Sequence, residues 1–154
     1  GGSGVLLQNV LQENPTMTGI LLERPTVIKS ITLPDDLSTR TQAIGFDLFT
    51  EWPCSGDNVL MSRVLHDWND EQAHCILMHA KNALRPKGQL IIIEFLLEDN
   101  HPDGGMLDMN MLVITGGKER TLDQYQQMTK KVNLQLIECV HTGNYHALTF
   151  KLME

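Results

Sequence analysis

Apolar residues follow two rhythms along this chain. Between Asp70 and Leu84 they recur at Ala73, Ile76, Leu77, Ala80, Ala83 and Leu84, the spacing that lays one stripe on one face of a helix. Asn69 is placed to cap that helix, Gln72 takes its third position in a capping-box-like start, and Pro86-Lys87-Gly88 stops it. Residues 89–97 then hold Leu90-Ile91-Ile92-Ile93, a run too continuous for a half-exposed strand. Such runs suit a parallel sheet covered on both faces.

The same rhythms organise the rest. Residues 5–13 carry Leu6, Leu7, Val10 and Leu11 on a helical face closed by Asn14-Pro15. Gly19-Ile20-Leu21-Leu22 reads as a buried strand ending at Glu23, and Pro25 opens a short helix over 25–30. Residues 33–40 are polar and turn-rich, a short strand is expected over 43–49, and Trp52-Pro53-Cys54-Ser55-Gly56 forms a loop. A further buried strand is expected over 58–65 through Val59, Leu60 and Met61. Residues 106–114 read as helical, and Thr121-Leu122-Asp123-Gln124 repeats the capping pattern ahead of a helix to about Val132. Residues 134–140 and 145–152 give a hairpin about Thr142-Gly143-Asn144. Strand and helix alternate, which predicts an α/β fold with a mostly parallel sheet and an antiparallel edge, in one domain over 1–154.

Composition narrows the partners. The 154 residues are 42% hydrophobic and 20% charged, an ordinary globular balance. Lys and Arg number 12 against 19 Asp and Glu, a net charge of −7 that argues against a nucleic-acid-binding surface. Cys54, Cys75 and Cys139 form no C-x-x-C pair, so no disulfide framework or zinc knuckle is expected and a reducing cytoplasm is. No run approaches the roughly 18 apolar residues of a membrane span, and no basic-then-apolar leader opens the sequence.

Four places carry candidate chemistry. Gly1-Gly2-Ser3-Gly4 precedes the first helix, and Glu23 ends the next strand about 20 positions later, where an acid accepts ribose hydroxyls. Leu7 stands where a dinucleotide fingerprint has its third glycine, which leaves room for an adenosine ligand without phosphates; a linker ahead of an unrelated helix would read the same. His66, in Arg63-Val64-Leu65-His66-Asp67-Trp68, leaves a strand at its carboxyl end, where a general base is useful and where Asp67 and Trp68 serve equally as loop and packing groups. Glu94 interrupts an apolar run, so it either reaches water at the strand end or pairs with a histidine from the neighbouring strand end. Glu119 lies in Gly116-Gly117-Lys118-Glu119-Arg120-Thr121, which is no Walker A loop and reads most plainly as a solvated one. His74 and His79 lie five apart and no H-E-x-x-H or nucleophile elbow occurs, so no metal is expected. Met106, Met109 and Met111 read as core or pocket lining.

In combination these blocks, with Gly19-Ile20-Leu21-Leu22-Glu23-Arg24-Pro25 and Phe46-Asp47-Leu48-Phe49 between them, resemble the S-adenosylmethionine-dependent small-molecule O-methyltransferases. The likeness is to the caffeate and hydroxyindole group and its bacterial natural-product relatives, and it covers essentially the whole chain. It implies a Rossmann-like class I methyltransferase sheet with an antiparallel C-terminal hairpin, and S-adenosyl-L-methionine as cofactor. Gly1, Gly2 and Gly4 would lie along its methionine part, Glu23 would hold the ribose, Asp47 the adenine amino group, and Leu48 and Phe49 the ring. Ser62 falls where plant relatives place a cofactor lysine. His66 would deprotonate the acceptor hydroxyl between Glu94 and Glu119, with Asp67 and the stretch around Met109 on the substrate side.

The resemblance further implies a small-molecule acceptor with a phenolic or enolic hydroxyl, and no nucleic-acid or membrane partner. It implies a strand ahead of the glycines and, before it, a helical domain for dimerisation; neither falls in these residues. A partial domain of this kind is expected to bind cofactor weakly or not at all, to turn over negligibly and to self-associate, while a complete chain forms a homodimer. The alternatives are a non-catalytic methyltransferase-like binding domain and a relative that uses the scaffold for a reaction other than methylation.

Overall fold

The computed structural model describes residues 1–97 and 104–153. They form two compact units, Gly1–Pro53 and Cys54–Glu154. The first contains α1 (Val5–Glu13), β1 (Gly19–Glu23), α2 (Pro25–Ile28), α3 (Asp35–Ser38) and β2 (Thr41–Gly45). Strands β1 and β2 pair in parallel, from Gly19 opposite Thr41 to Glu23 opposite Gly45. Leu11, Leu21 and Leu37 are buried, so the stripe on α1 meets the core at Leu11 while Leu6 stays exposed. The Arg40 guanidinium closes the end of α1 by donating to the carbonyls of Leu11 (3.1 Å), Asn14 (3.2 Å) and Met17 (2.8 Å). Carbonyls at a helix C-terminus have no partner within the helix, and here an arginine supplies one.

Two expectations shift in this unit. The turn-rich stretch contains one helical turn, α3, with Asp35 and Asp36 in its first turn, where the helix dipole favours negative charge. The second strand stops at Gly45 instead of reaching Phe49. Asp47 ends it, because its Oδ1 accepts the Phe49 amide at 3.0 Å and its carbonyl accepts the Thr50 amide at 3.1 Å. A side chain that takes its own backbone amide two residues on builds a turn instead of a ladder.

The second unit contains β3 (Gly56–Ser62), α4 (Asp70–Asn82), β4 (Leu84–Glu94), α5 (Gly104–Ile114), α6 (Leu122–Lys131), β5 (Leu134–Thr142) and β6 (Tyr145–Leu152). Its sheet has the order β3-β4-β6-β5. Strand β4 runs parallel to β3 and antiparallel to β6, and β6 is antiparallel to β5. Three strands therefore share one direction, and the reversed strand lies inside the sheet, not at its edge as expected. Leu90 faces Phe150 and Ile92 faces Leu148 across β4 and β6, and all four are buried. Val59 and Met61 of β3 extend this face, which packs with Ala73, Ile76, Leu77 and Ala80 of α4 and Tyr125 and Met128 of α6. The alternate residues Ile91 and Ile93 are only half-buried, so the continuous apolar run does not have two equally covered faces.

The helix starts match their sequence signals. Asn69 Oδ1 accepts the Gln72 amide at 2.9 Å, and Thr121 and Gln124 form a complete capping box. Strand β3 ends at Ser62, earlier than expected, because Arg63 takes φ 53° and breaks the extended backbone. Residues Leu65–Asp67 then form one 3-10 turn. Helix α5 exposes Met106, Met109, Leu112, Val113 and Ile114, so Met106 and Met109 do not enter the core, while Met111 is half-buried. No helix among the described residues is long and apolar enough to cross a membrane.

Candidate functional site

The first unit gathers the glycines and the acid. Gly4 adopts φ 81° as the residue before α1, a left-handed conformation that favours glycine. An added Cβ there would also come within 3.0 Å of Leu21 Cδ2. Glu23, at the carboxyl end of β1, accepts the Gly2 amide at 3.0 Å and the Arg24 amide at 2.7 Å. Partial burial pushes the Glu23 carboxyl up, but the hydrogen bonds from the Arg24 and Gly2 amides counter it, and it is held below its ordinary value. After β2, Phe46 meets Trp52 edge-on with ring centroids 5.9 Å apart, and the Trp52 indole donates to the Leu48 carbonyl at 3.3 Å. Leu48 and Phe49 are half-buried and Asp47 is exposed.

The second unit gathers the titratable groups. His66 is 5% exposed on the 3-10 turn, and its Nδ1 lies 3.1 Å from Glu119 Oε1. Its Nε2 lies 3.7 Å from Asp67 Oδ1. Glu94 meets the backbone of this turn: its Oε1 accepts the amides of Val64 and Leu65, both at 2.9 Å. The left-handed Arg63 turns those two amides toward one acceptor, and its own amide donates to Ile93 at 2.9 Å. Ser62 closes β3 just ahead, half-buried. Met109 lies 64% exposed on α5.

Charge follows from this packing. The hydrogen bond to Glu119 raises the His66 imidazole above its ordinary value; burial opposes this, and the charges of Glu94, Glu119 and Asp67 reinforce it. Glu94 is pushed up to about 7 by its burial, against the pull of His66 and the Val64 and Leu65 amides. Glu94 thus changes charge near neutrality beside an imidazole whose protonated form is favoured. Sites of this kind are where acid–base chemistry is found.

Three side chains that the sequence reading gave no role hold this arrangement. Arg120 is fully buried and donates to the carbonyls of Leu65 and Trp68, both at 2.7 Å, so it grips the His66 turn from either side. Its Nε also reaches Asp70 Oδ1 at 3.1 Å. Asp108 of α5 accepts the Glu119 amide at 2.9 Å. Tyr125 of α6 is fully buried, with its hydroxyl beside the Arg120 guanidinium. The signal for Arg120 was its place in the same short block as Glu119, and Tyr125 was hidden in the apolar stripe of α6. Gly117 passes so close to the His66 carbonyl that an added Cβ would overlap it and lie 2.7 Å from the Trp68 nitrogen.

A reversed strand set between strands of the opposite direction, with ligand-type side chains where parallel strands end, is the architecture of class I methyltransferases. The solved structure of a mitomycin 7-O-methyltransferase superposes over 99% of this chain with a TM-score of 0.92 at 28% identity, using 47% of that chain. An O-methyltransferase of neocarzinostatin biosynthesis, solved with S-adenosylmethionine and 2-hydroxy-5-methyl naphthoic acid, superposes over 99% of this chain and 47% of its own, with a TM-score of 0.89 at 26% identity. The chain belongs to the O-methyltransferase domain family, whose profile matches residues 1–134. A phenazine O-methyltransferase of Lysobacter antibioticus is 33% identical over 132 residues, which are 82% of this chain and 39% of that relative. The chain thus spans about two-fifths of the length of the curated relatives it matches.

Proposed function

We propose that this domain transfers a methyl group from S-adenosyl-L-methionine to a phenolic or enolic hydroxyl of a small molecule, with His66 as general base. The observation that carries the reading is the 3.1 Å contact between His66 Nδ1 and Glu119 Oε1. With Nδ1–H donating to the carboxylate, the neutral ring presents its lone pair at Nε2. That nitrogen takes the acceptor's hydroxyl proton as the oxygen gains the methyl, and the carboxylates around the ring stabilise the imidazolium that results. A phenol with a pKa near ~10 suits such a base better than an alkyl alcohol does.

The residues of the first unit fit the cofactor on their own chemistry. Gly2 and Gly4 leave the backbone without side chains, and Glu23 is kept ionised as an acceptor beside them. In this reading the glycines hold the methionine part, Glu23 the ribose hydroxyls, Asp47 the adenine amino group, Leu48 and Phe49 the ring, and Ser62 a further polar contact. S-adenosylmethionine supplies an electrophilic sulfonium methyl, so the protein's work is alignment and proton removal. Asp67 and the exposed apolar residues of α5, Met109 among them, form the acceptor side. The charge balance and the free Cys54, Cys75 and Cys139 support a cytoplasmic protein without a nucleic-acid partner, and a homodimer is proposed for the complete chain through an N-terminal helical domain. Incubation of the complete protein containing this domain with S-adenosylmethionine and a panel of phenols, read by mass spectrometry, tests the function. A gain of one methyl supports it; cofactor binding without any methylated product across the panel contradicts it.

A further inference from the structure

We propose that Asp70 is a positioning residue for this reaction: its two carboxylate oxygens hold Lys118 and Arg120, the residues on either side of Glu119, and so fix Glu119 against the His66 ring. The proposal rests on the reading of His66 as the base. It starts from the chain order Lys118-Glu119-Arg120, in the loop between α5 and α6. A carboxylate on a loop keeps one aim only where the backbone on both sides of it is held, and here both sides are.

One set of contacts ties the loop to the His66 turn. The Lys118 amide donates to the His66 carbonyl at 2.9 Å, and Arg120 donates to the carbonyls of Leu65 and Trp68, both at 2.7 Å. Glu119 lies between them and meets His66 Nδ1. A second set ties the same two residues to Asp70. Its Oδ2 accepts Lys118 Nζ at 2.6 Å, and its Oδ1 accepts Nε and Nη2 of Arg120 at 3.1 and 3.0 Å. Asp70 is the first residue of α4, a helix anchored by its buried Ala73, Ile76, Leu77 and Ala80. The loop thus takes its place from a rigid element.

The two cations make different demands. The Arg120 side chain is fully buried, and a buried charge left unpaired is costly; Asp70 supplies its counter-charge from the surface. The Lys118 pair is partly exposed, a kind that contributes little to stability. Its effect is to fix the other side of Glu119. The charges that act on the His66 ring are those of Glu119, Glu94 and Asp67, so Asp70 reaches the ring through Glu119. Without Asp70 the two flanks lose their common anchor, and Glu119 no longer holds the ring with Nδ1–H directed at it. Small misplacements of reacting groups lower rates by up to about 10²-fold.

The test is the solvent-exchange rate of the His66 Nδ1–H proton, read by NMR in the complete protein with nitrogen-labelled histidine; it needs no methyl acceptor. In D70N that rate is expected to rise roughly tenfold or more while the β4 amides exchange as in the wild type. The kcat is expected to fall about 3–30-fold with S-adenosylmethionine affinity unchanged. K118M removes the Oδ2 contact alone and is expected to give a smaller rise, which keeps the proposal decidable if D70N folds poorly. Asp70 also opens α4, where the helix dipole favours an acid. A role confined to that helix predicts a lower thermal midpoint with the Nδ1–H rate unmoved relative to the β4 amides, and that result would overturn the proposal. A faster Nδ1–H exchange with unchanged methyl transfer would support the positioning of Glu119 and count against His66 as the base.

Discussion

Glu94 reaches Leu65 through the backbone, accepting its amide at 2.9 Å, and gives the same oxygen to Val64. The acid that the sequence placed beside a histidine thus fixes the turn that carries the histidine. Its charge acts on His66 without a direct hydrogen bond.

This double contact separates two substitutions. Gln at position 94 keeps an oxygen for both amides, whereas Ala leaves two donors unpaired. E94A is expected to lose about 2–4 kcal/mol of stability, from two hydrogen bonds to a charged group. E94Q should lose distinctly less and keep the fold, while its rate profile reaches the plateau at lower pH because His66 has lost a neighbouring charge. Urea melts and pH–rate profiles check the pair; equal destabilisation in both would show that the amide contacts contribute little.

Gly117 gives a steric prediction. Its backbone lies against the His66 carbonyl with no space for a side chain. G117A is expected to destabilise the protein by about 1–3 kcal/mol or more and to lower turnover through displacement of the His66 turn. An unchanged thermal midpoint would contradict the packing described.

Stability should also depend on pH with a definite sign. His66 and Glu94 both bind protons more tightly in the fold than in the unfolded chain. The folded state then holds more protons, and stability falls as pH rises. For Glu94 the contribution is complete below its ordinary 4.5 and is lost as pH climbs through about 7. For His66 it is complete below 6.5 and is lost as pH passes its raised folded value. Glu23 and Asp70, both lowered, act in the opposite sense and at lower pH, their stabilisation disappearing as acid protonates them. Urea midpoints measured from about pH 5 to about pH 8.5 should decrease, and E94Q should flatten the slope. A midpoint that rises across that range would contradict this.

Much of this fold was legible because local signals agreed. The stripe from Ala73 to Ala80 and the Asn69 cap predicted α4, and Thr121 with Gln124 predicted α6, since both depend on residues within one helical turn of each other. The strand ends were not legible. Arg63 in a left-handed conformation and Asp47 turning back on its own backbone end β3 and β2, and neither residue type compels that geometry. In the site, His66 and its acids stood out by their positions. The difference between Glu119, which meets the ring, and Glu94, which meets the amides, depends on packing between β3, β4 and the loop before α6. Arg120 escaped for the same reason: its partners are carbonyls, which leave no mark in a sequence.

In the first unit the decisive residue is Glu23. E23A is expected to weaken S-adenosylmethionine binding by about 1–3 kcal/mol, the scale of a hydrogen bond to a charged acceptor. It should also free the Gly2 amide that Glu23 now holds. Calorimetry on a well-folded variant checks the assignment, and unchanged affinity would remove Glu23 from the binding residues.

The central claim is that His66, held by Glu119, removes the acceptor's proton. Its most direct test is the single-turnover rate of methyl transfer to a phenolic acceptor, with wild-type and H66Q protein both saturated with S-adenosylmethionine. The rate in H66Q should fall by roughly 10²–10⁴-fold with cofactor affinity nearly intact, and the wild-type rate should rise with pH as the imidazole loses its proton. A variant that transfers the methyl group within a few-fold of the wild-type rate would contradict the account.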